Sequence, residues 1–338
     1  MSNTISRFTS KAAAALVRPC HAHRFASPRF QRTAYSTSTG KETTSSSSSQ
    51  SGRPSAIAQR IPDTTTLHAP HRFREFELDG KVFVVTGGAQ GLGLTLAEAL
   101  VEAGGNVYCL DRLPAPTEEY YQTQGCVAGK FEGSLHYRQV DVQDASNLDS
   151  VIEDIASKYG RMDGLIAAAG VQNVTPALEY PPHKITEMMN INYGGVYLSA
   201  VSCARAMVKH QTPGSILLVG SMSGLIANKG FTASVYNSSK AAVIQLGRSL
   251  AMEWGKIIDG KPIRVNVLCP GNIVTPMVRK NFDDDPHLRE LWERENMMGR
   301  ISEPREYRGA ALFMLSDASS FMTGKFWRTQ PSTCTGHS

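Results

Sequence analysis

An apolar, β-branched run at residues 81–86 passes directly into Gly87-Gly88-Ala89-Gln90-Gly91-Leu92-Gly93, and then into a helical pattern over 92–103 that stops at Gly104-Gly105. A buried parallel strand reads as such a near-continuous apolar run. A glycine pair just past a helix suits its C-cap. A loop of small residues between the two lets backbone N–H groups approach a phosphate at the positive end of the helix. The alternation continues: strands are expected at 106–110, 136–140, 165–168, 215–219 and 263–268, and helices at 147–159, 183–210 and 234–254. Repeated strand–helix units predict an α/β fold, a single doubly wound parallel sheet with helices on both faces and right-handed crossovers. Ligands of such sheets bind beyond the C-terminal strand ends, where the strand order reverses.

Charge divides the chain unevenly. Of 35 basic and 30 acidic residues, seven basic ones (Arg7, Lys11, Arg18, Arg24, Arg29, Arg32 and Lys41) fall in residues 1–41, which hold no acid. The rest is therefore slightly acidic, and a nucleic-acid partner, which needs a basic face, gains no support. Arg-spaced, Ser/Thr-rich and acid-free, residues 1–41 have the composition of a mitochondrial targeting segment. The mitochondrial matrix is the expected location, with the cytoplasm as the alternative. Residues 42–72, with the serine run from Ser45 to Ser49, lack apolar periodicity and read as a disordered linker. The catalytic domain is expected over 73–325, followed by an atypical tail at 326–338. No apolar run reaches ~18 residues, so no membrane insertion is expected. The six cysteines are scattered with no CxxC pair, which argues against a zinc site or a disulfide framework.

The chemical signal is Tyr236 and Lys240, four apart and so stacked on one helix face. A phenol ordinarily ionises near ~10, and a neighbouring ammonium lowers that value toward a working pH. Tyr236 would then serve as a general acid/base. Ser221 lies 15 residues earlier, after the fifth expected strand, and Asn192 lies on the preceding long helix. Asp111 ends the second strand, where a carboxylate accepts hydrogen bonds from the adenosine ribose and repels a 2′-phosphate. NAD is therefore favoured, with NADP possible because Arg112 stands beside it. Residues 275–299, charged but carrying Met277, Val278, Phe282, Leu288, Leu291 and Trp292, suit either a lid over the reacting ring or an ordinary surface helix.

Taken in order, these pieces resemble the short-chain dehydrogenase/reductase family over roughly residues 75–325. The matching pieces are the Thr86–Gly93 loop, Asp141-Val142, Ala167-Ala168-Ala169-Gly170, Asn192, Ser221, Tyr236, Lys240, and Pro270-Gly271 with Thr275. The stretch from Ser221 to Asn228 looks closer still to the fungal polyol dehydrogenases acting on mannitol, arabinitol or sorbose. The resemblance implies a Rossmann-type sheet. It implies cofactor contacts from Gly87, Gln90, Gly91, Leu92, Gly93, Asp111, Asp141, Val142, Ala169, Gly170, Tyr236, Lys240, Pro270, Gly271, Ile273 and Thr275. By the same resemblance Tyr236 exchanges the proton, Lys240 holds the nicotinamide ribose, Ser221 rather than Ser223 binds the substrate oxygen, and Asn192 orders a water.

The implied reaction moves a hydride between a nicotinamide cofactor and a secondary alcohol or ketone, a polyol or sugar ketone foremost. The alternatives are a mitochondrial 3-oxoacyl-thioester reductase using NADPH and a catalytically weak nucleotide-binding scaffold. The substrate is a small molecule, and the family implies a homo-oligomer, dimer or tetramer. Two departures stand out. The family's Asn-Asn-Ala-Gly is here Ala167-Ala168-Ala169-Gly170. After Gly324 no alternating strand pattern follows, which puts the last strand, and with it the oligomer, in doubt.

Overall fold

A computed structural model describes residues 73–328. The targeting segment, the linker and residues 329–338 lie outside them. Seven parallel strands form one sheet in the order β3-β2-β1-β4-β5-β6-β7. They are β1 Val82–Thr86, β2 Asn106–Asp111, β3 Ser134–Gln139, β4 Gly164–Ala167, β5 Ser215–Val219, β6 Arg264–Cys269 and β7 Phe326–Arg328. The helices are α1 Gly91–Glu102, α2 Glu118–Val127, α3 Ala145–Tyr159, α4 Pro182–Met189, α5 Val196–Lys209, α6 Ser234–Trp254, α7 Pro276–Asp284, α8 His287–Glu295 and α9 Arg308–Leu315. The doubly wound parallel sheet expected from the sequence is what forms. None of the helices among the described residues is long and apolar enough to cross a membrane.

Alternate residues of β1 enter two cores. Val82 and Val84 pack with side chains of α3, α5 and α6, whereas Phe83 and Val85 pack with those of α1, α2 and α9. All four are fully buried, which is why this strand reads as unbroken apolar sequence. The chain runs outward from β1 through β2 to β3, then returns to pair β4 on the other side of β1. The order reverses there, and the loops after β1 and β4 meet above it.

Several boundaries differ from the sequence expectation. The expected helix over 183–210 is interrupted by a π-helical turn, Asn190–Gly195, between α4 and α5. Such a turn keeps the helical apolar spacing close enough that sequence periodicity does not betray it. α2 was not foreseen, because its buried residues are only Tyr120 and Val127. Its start does carry a signal, since the Thr117 side chain accepts from the Tyr120 N–H.

The C-terminal strand is a correction. Phe326, Trp327 and Arg328, assigned from sequence to an atypical tail, pair with Val267, Leu268 and Cys269 of β6 as β7. The sheet therefore runs through Arg328 and not to 325. Three residues are too few to show alternation, and the strand is held by backbone pairing and by packing at its flanks. Trp327 meets Phe313 edge-on at 5.9 Å, and the Arg248 guanidinium lies 5.1 Å over the Phe326 ring. Beneath it, the buried Arg264 donates to the carbonyls of Met314 (3.0 Å) and Ser316 (2.9 Å) and to Ser319 Oγ (2.8 Å). Asn266 Nδ2 donates to the Met322 carbonyl at 2.9 Å. These bonds deliver the chain to the sheet edge.

Arg264→Met removes these buried, charge-assisted bonds and leaves the Met314 carbonyl to the Ser215 and Ser319 hydroxyls and the Ser316 carbonyl to long bonds from Ser319, so it is expected to lower unfolding stability by about 3 kcal/mol. A urea midpoint shifted down at unchanged slope checks it; an unmoved midpoint shows the Arg264 bonds to be dispensable.

Candidate active site

Every site residue singled out in the sequence except Asn192 lies along one trough above the strand-order reversal. Gly87, Gln90, Asp111, Asp141, Val142, Ala169 and Gly170 line one half of it. Gln90, Gly91, Leu92, Gly93, Gly170, Ser221, Tyr236, Lys240, Pro270, Gly271, Ile273 and Thr275 line the other. The halves share Gln90, Ala168 and Gly170. Only Asn192 stands behind the wall instead of on it.

The loop after β1 lies tight against the loop after β4. Gly87 has φ +69°, and a Cβ there would fall 2.7 Å from the Ala169 nitrogen, so only glycine permits the approach. Above it, α1 opens at Gly91, and Gly91, Leu92 and Gly93 line the trough. Asp111 reaches the same loop from β2, accepting from the Ala89 N–H and the Leu113 N–H, each at 3.3 Å. Glu119, which the sequence had not marked, accepts from the Gly91 N–H at 3.2 Å. Asp141 is exposed and bonded to Gln143, whereas Val142 is buried against Gly195. A glycine-lined helix terminus in the middle, a carboxylate at one end and a buried ammonium at the other fit a nicotinamide dinucleotide.

The loss of the two amides at Ala167 and Ala168 leaves a trace. The Thr86 hydroxyl, opposite Ala167 in the β1–β4 ladder, is buried without a hydrogen-bond partner. No side chain among the described residues pairs with that hydroxyl, and backbone bonds such as Ala168 N–H to the Thr86 carbonyl carry the junction.

At the far end α6 presents Tyr236 and Lys240 to the cleft. Ser221 caps the short turn Met222–Gly224 after β5, its Oγ accepting from the Ser223 N–H at 3.1 Å. That turn presses onto α6: a Cβ on Gly224 would lie 2.6 Å from the Lys240 carbonyl carbon. The contact places the Ser221 hydroxyl on the same cleft as the Tyr236 phenol. Ser223, the competitor for that place, accepts from Asn228 Nδ2 at 3.1 Å. Asn192, in the π-helical turn, is fully buried. Its Oδ1 accepts from the Val171 N–H at 2.8 Å, and its Nδ2 donates to the Val171 carbonyl and to Ser239 Oγ. Ser239 in turn donates to the Tyr236 carbonyl at 2.7 Å. Both amide protons of Asn192 are thus spent on positioning the loop after β4 and the Tyr236 turn of α6.

One sequence argument is reversed. Lys240 was expected to pull the Tyr236 phenol down. Its Nζ donates to the Val219 carbonyl at 2.9 Å and lies 5.9 Å from the Tyr236 ring centre. Burial lowers Lys240 itself to about 8, weakening the charge it offers. Enclosure pushes Tyr236 above its ordinary value, and the Ser221 hydroxyl only partly offsets that.

Thr275 caps α7, its Oγ1 accepting from the Val278 N–H. α7 and α8 then form one wall of the cleft and are packed helices, as the second of the two sequence alternatives expected. Leu288 and Trp292 are buried against Phe231 and Ile301, with Tyr236 at the cluster's edge. Asn281 Nδ2 donates to Gln172 Oε1 at 2.9 Å, tying α7 to the loop after β4. Gln172 and Phe231 line the cleft but carried no sequence signal, and Asn228, which lines it too, was marked only as the end of the Ser221–Asn228 stretch and not as a site residue.

The family model described as Enoyl-(Acyl carrier protein) reductase matches residues 87–328. A short chain dehydrogenase/reductase of Aspergillus versicolor, notP′, is 40% identical over 77% of this chain and 89% of its own length. A D-arabinitol 2-dehydrogenase (ribulose-forming) of Candida albicans is 35% identical over 74% of this chain and 91% of its own. Among solved structures, an NADPH-dependent 3-quinuclidinone reductase of Rhodotorula rubra superposes with a TM-score of 0.70 at 31% identity, covering 82% of this chain and 100% of that one.

Because Lys240 holds a lowered pKa, its buried charge costs stability in full below about 8, and that cost fades as pH rises toward the ordinary value of 10.5. Lys240→Met removes the cost. Its melting temperature relative to wild type is expected to be highest near neutral pH and to fall steadily toward pH ~10. A difference that stays flat with pH shows that Lys240 is not held in this way.

Proposed function

The chain belongs to the short-chain dehydrogenase/reductase family and is an NAD(P)-dependent oxidoreductase, and from that premise we propose that its substrate is a polyol or the corresponding sugar ketone. The observation that carries this reading is the gathering of Ser221, Tyr236 and Lys240 on one cleft that opens onto the glycine loop. The dehydrogenase names of polyol-oxidising relatives add to it.

A carbinol or carbonyl oxygen between Ser221 and Tyr236 receives hydrogen bonds from both hydroxyls, so charge developing on that oxygen is met by donors already in place. The bound nicotinamide supplies the hydride acceptor or donor. Tyr236 gives its proton to the oxygen during ketone reduction and takes one during alcohol oxidation. Lys240 holds a cofactor ribose, and Asn192 holds the Tyr236 turn through Ser239. Since burial keeps the phenol protonated at neutral pH, Tyr236 stands ready as an acid and must ionise before it acts as a base.

NAD is the proposed cofactor. The Asp111 carboxylate at the rim of the adenosine half of the trough supports it, because a 2′-phosphate there meets like charge. A homo-oligomer, dimer or tetramer, is part of the proposal and is supported by the exposed rings of Phe326 and Trp327 on the edge strand. Import into the mitochondrial matrix is proposed on the composition of residues 1–41; fusing them to a fluorescent protein should send it there, and a diffuse cytoplasmic signal returns the enzyme to the cytoplasm.

The full chain, assayed by reduced-nicotinamide absorbance with arabinitol, galactitol and mannitol, is expected to turn over with NAD. The kcat/KM for oxidation should rise with pH, and that for reduction should fall. Tyr236→Phe should lose about 1000-fold in kcat. Turnover confined to NADPH and 3-oxoacyl thioesters overturns both the substrate and the cofactor assignments.

A further inference from the structure

The cleft wall above Tyr236 contains two polar atoms whose hydrogen-bonding capacity no group among the described residues uses. The Asn228 side chain donates through Nδ2 to Ser223 Oγ at 3.1 Å, but its Oδ1 is buried without a partner. The Trp292 indole Nε1–H is likewise buried without a partner, on a residue only 5% exposed. Both residues line the cleft that holds Ser221, Tyr236 and Lys240. Gln172, a third polar group of the wall, has its Oε1 committed to Asn281. The ring of Trp292 is fixed edge-on between Phe231 (5.7 Å) and Phe282 (5.6 Å), and Phe231 is edge-on to Tyr236 at 6.3 Å. Trp292 thus has a packing role that an unpaired N–H does nothing to serve.

One unused group is an acceptor and the other a donor. A buried polar atom left unpaired weighs against the fold unless a ligand completes it. We propose that Asn228 and Trp292 are specificity-determining residues that bind the hydroxyl groups of the substrate beyond its reacting carbon. A hydroxyl donates and accepts, so neighbouring hydroxyls of one open-chain polyol satisfy both groups. A monohydric alcohol satisfies neither, and a 3-oxoacyl chain offers acceptors for the indole but no donor for the amide oxygen. Both atoms are closed to water with α7 and α8 in place, so a polyol reaches them as α8, which carries Trp292, shifts outward. Specificity is then tied to lid movement. The proposal rests on the polyol reading given above and names the groups that enforce it.

The test is the ratio of kcat/KM for D-arabinitol to that for 2-pentanol, measured in the full chain with NAD. Wild type is expected to favour the polyol. Trp292→Phe, which removes the N–H and keeps an aromatic ring, and Asn228→Leu, which keeps the bulk, should each lower the ratio about tenfold or more, chiefly through KM for the polyol. Ser223→Ala separates loss of the amide oxygen from disturbance of its neighbour, and should leave the ratio higher than Asn228→Leu does. Trp292→Phe vacates part of the indole's volume in the cluster with Phe231 and Phe282, so its melting temperature should drop somewhat; the substrate ratio, which packing loss alone would not move, reports the lost N–H. If wild type favours arabinitol and neither variant moves the ratio, or if both substrates fall together, the assignment of these two residues is wrong while the polyol reading stands. If wild type favours 2-pentanol, the polyol reading fails and the assignment falls with it.

Discussion

The whole arrangement depends on two backbones passing within contact distance where the strand order reverses. A side chain at Gly87 would collide with the backbone at Ala169. That contact closes the middle of the trough and lets the two halves join at Gly170. From it follow the aim of α1 at the trough and the placement of Asp111 beside the glycine loop. The sheet supplies the rigid base for this approach, since β1 is buried on both faces and paired on both edges.

Against that base the chemical end of the trough is held in tension. Lys240 is a buried cation whose Nζ donates to the Val219 carbonyl, without an ion pair among the described residues. Tyr236 is pushed toward its neutral form by the same enclosure. A fold selected for stability alone would place neither group here. Their cost is spread over α6, a helix of 21 residues whose inner face is otherwise apolar and packed on β6. Arg264 shows the contrasting solution, a buried cation surrounded by carbonyl oxygens, and it shapes the sheet edge instead of a reaction site.

Much of this was legible from the residues themselves, and the failures have physical reasons. β5 and α6 fall at their expected limits because a short apolar run and a long amphipathic stretch each admit one reading. Tyr236 and Lys240 were legible because helical spacing alone places them together. The electrostatic sign between them was not, because burial is a property of the surroundings and not of the pair. β7 escaped because backbone pairing makes three residues a strand whatever their side chains. Gln172, Asn228 and Trp292 come from separate segments, and only the closed fold shows that they border the trough and that Glu119 reaches the Gly91 N–H beside it.

The π-helical turn at Asn190–Gly195 has a consequence of phase. A π turn is an α-helix carrying one surplus residue, so it offsets the angular setting of α5 against α4 by about a quarter turn relative to an unbroken helix. Asn192 can face Val171 and Ser239 while α5 still lays its apolar stripe on the core. An uninterrupted helix could satisfy one of these alignments but not both. The surplus residue works as a clutch between the packing of the helix and the polar bonds beside the site. A family member that kept the same side chains but lost that one residue would form a better helix and a worse enzyme.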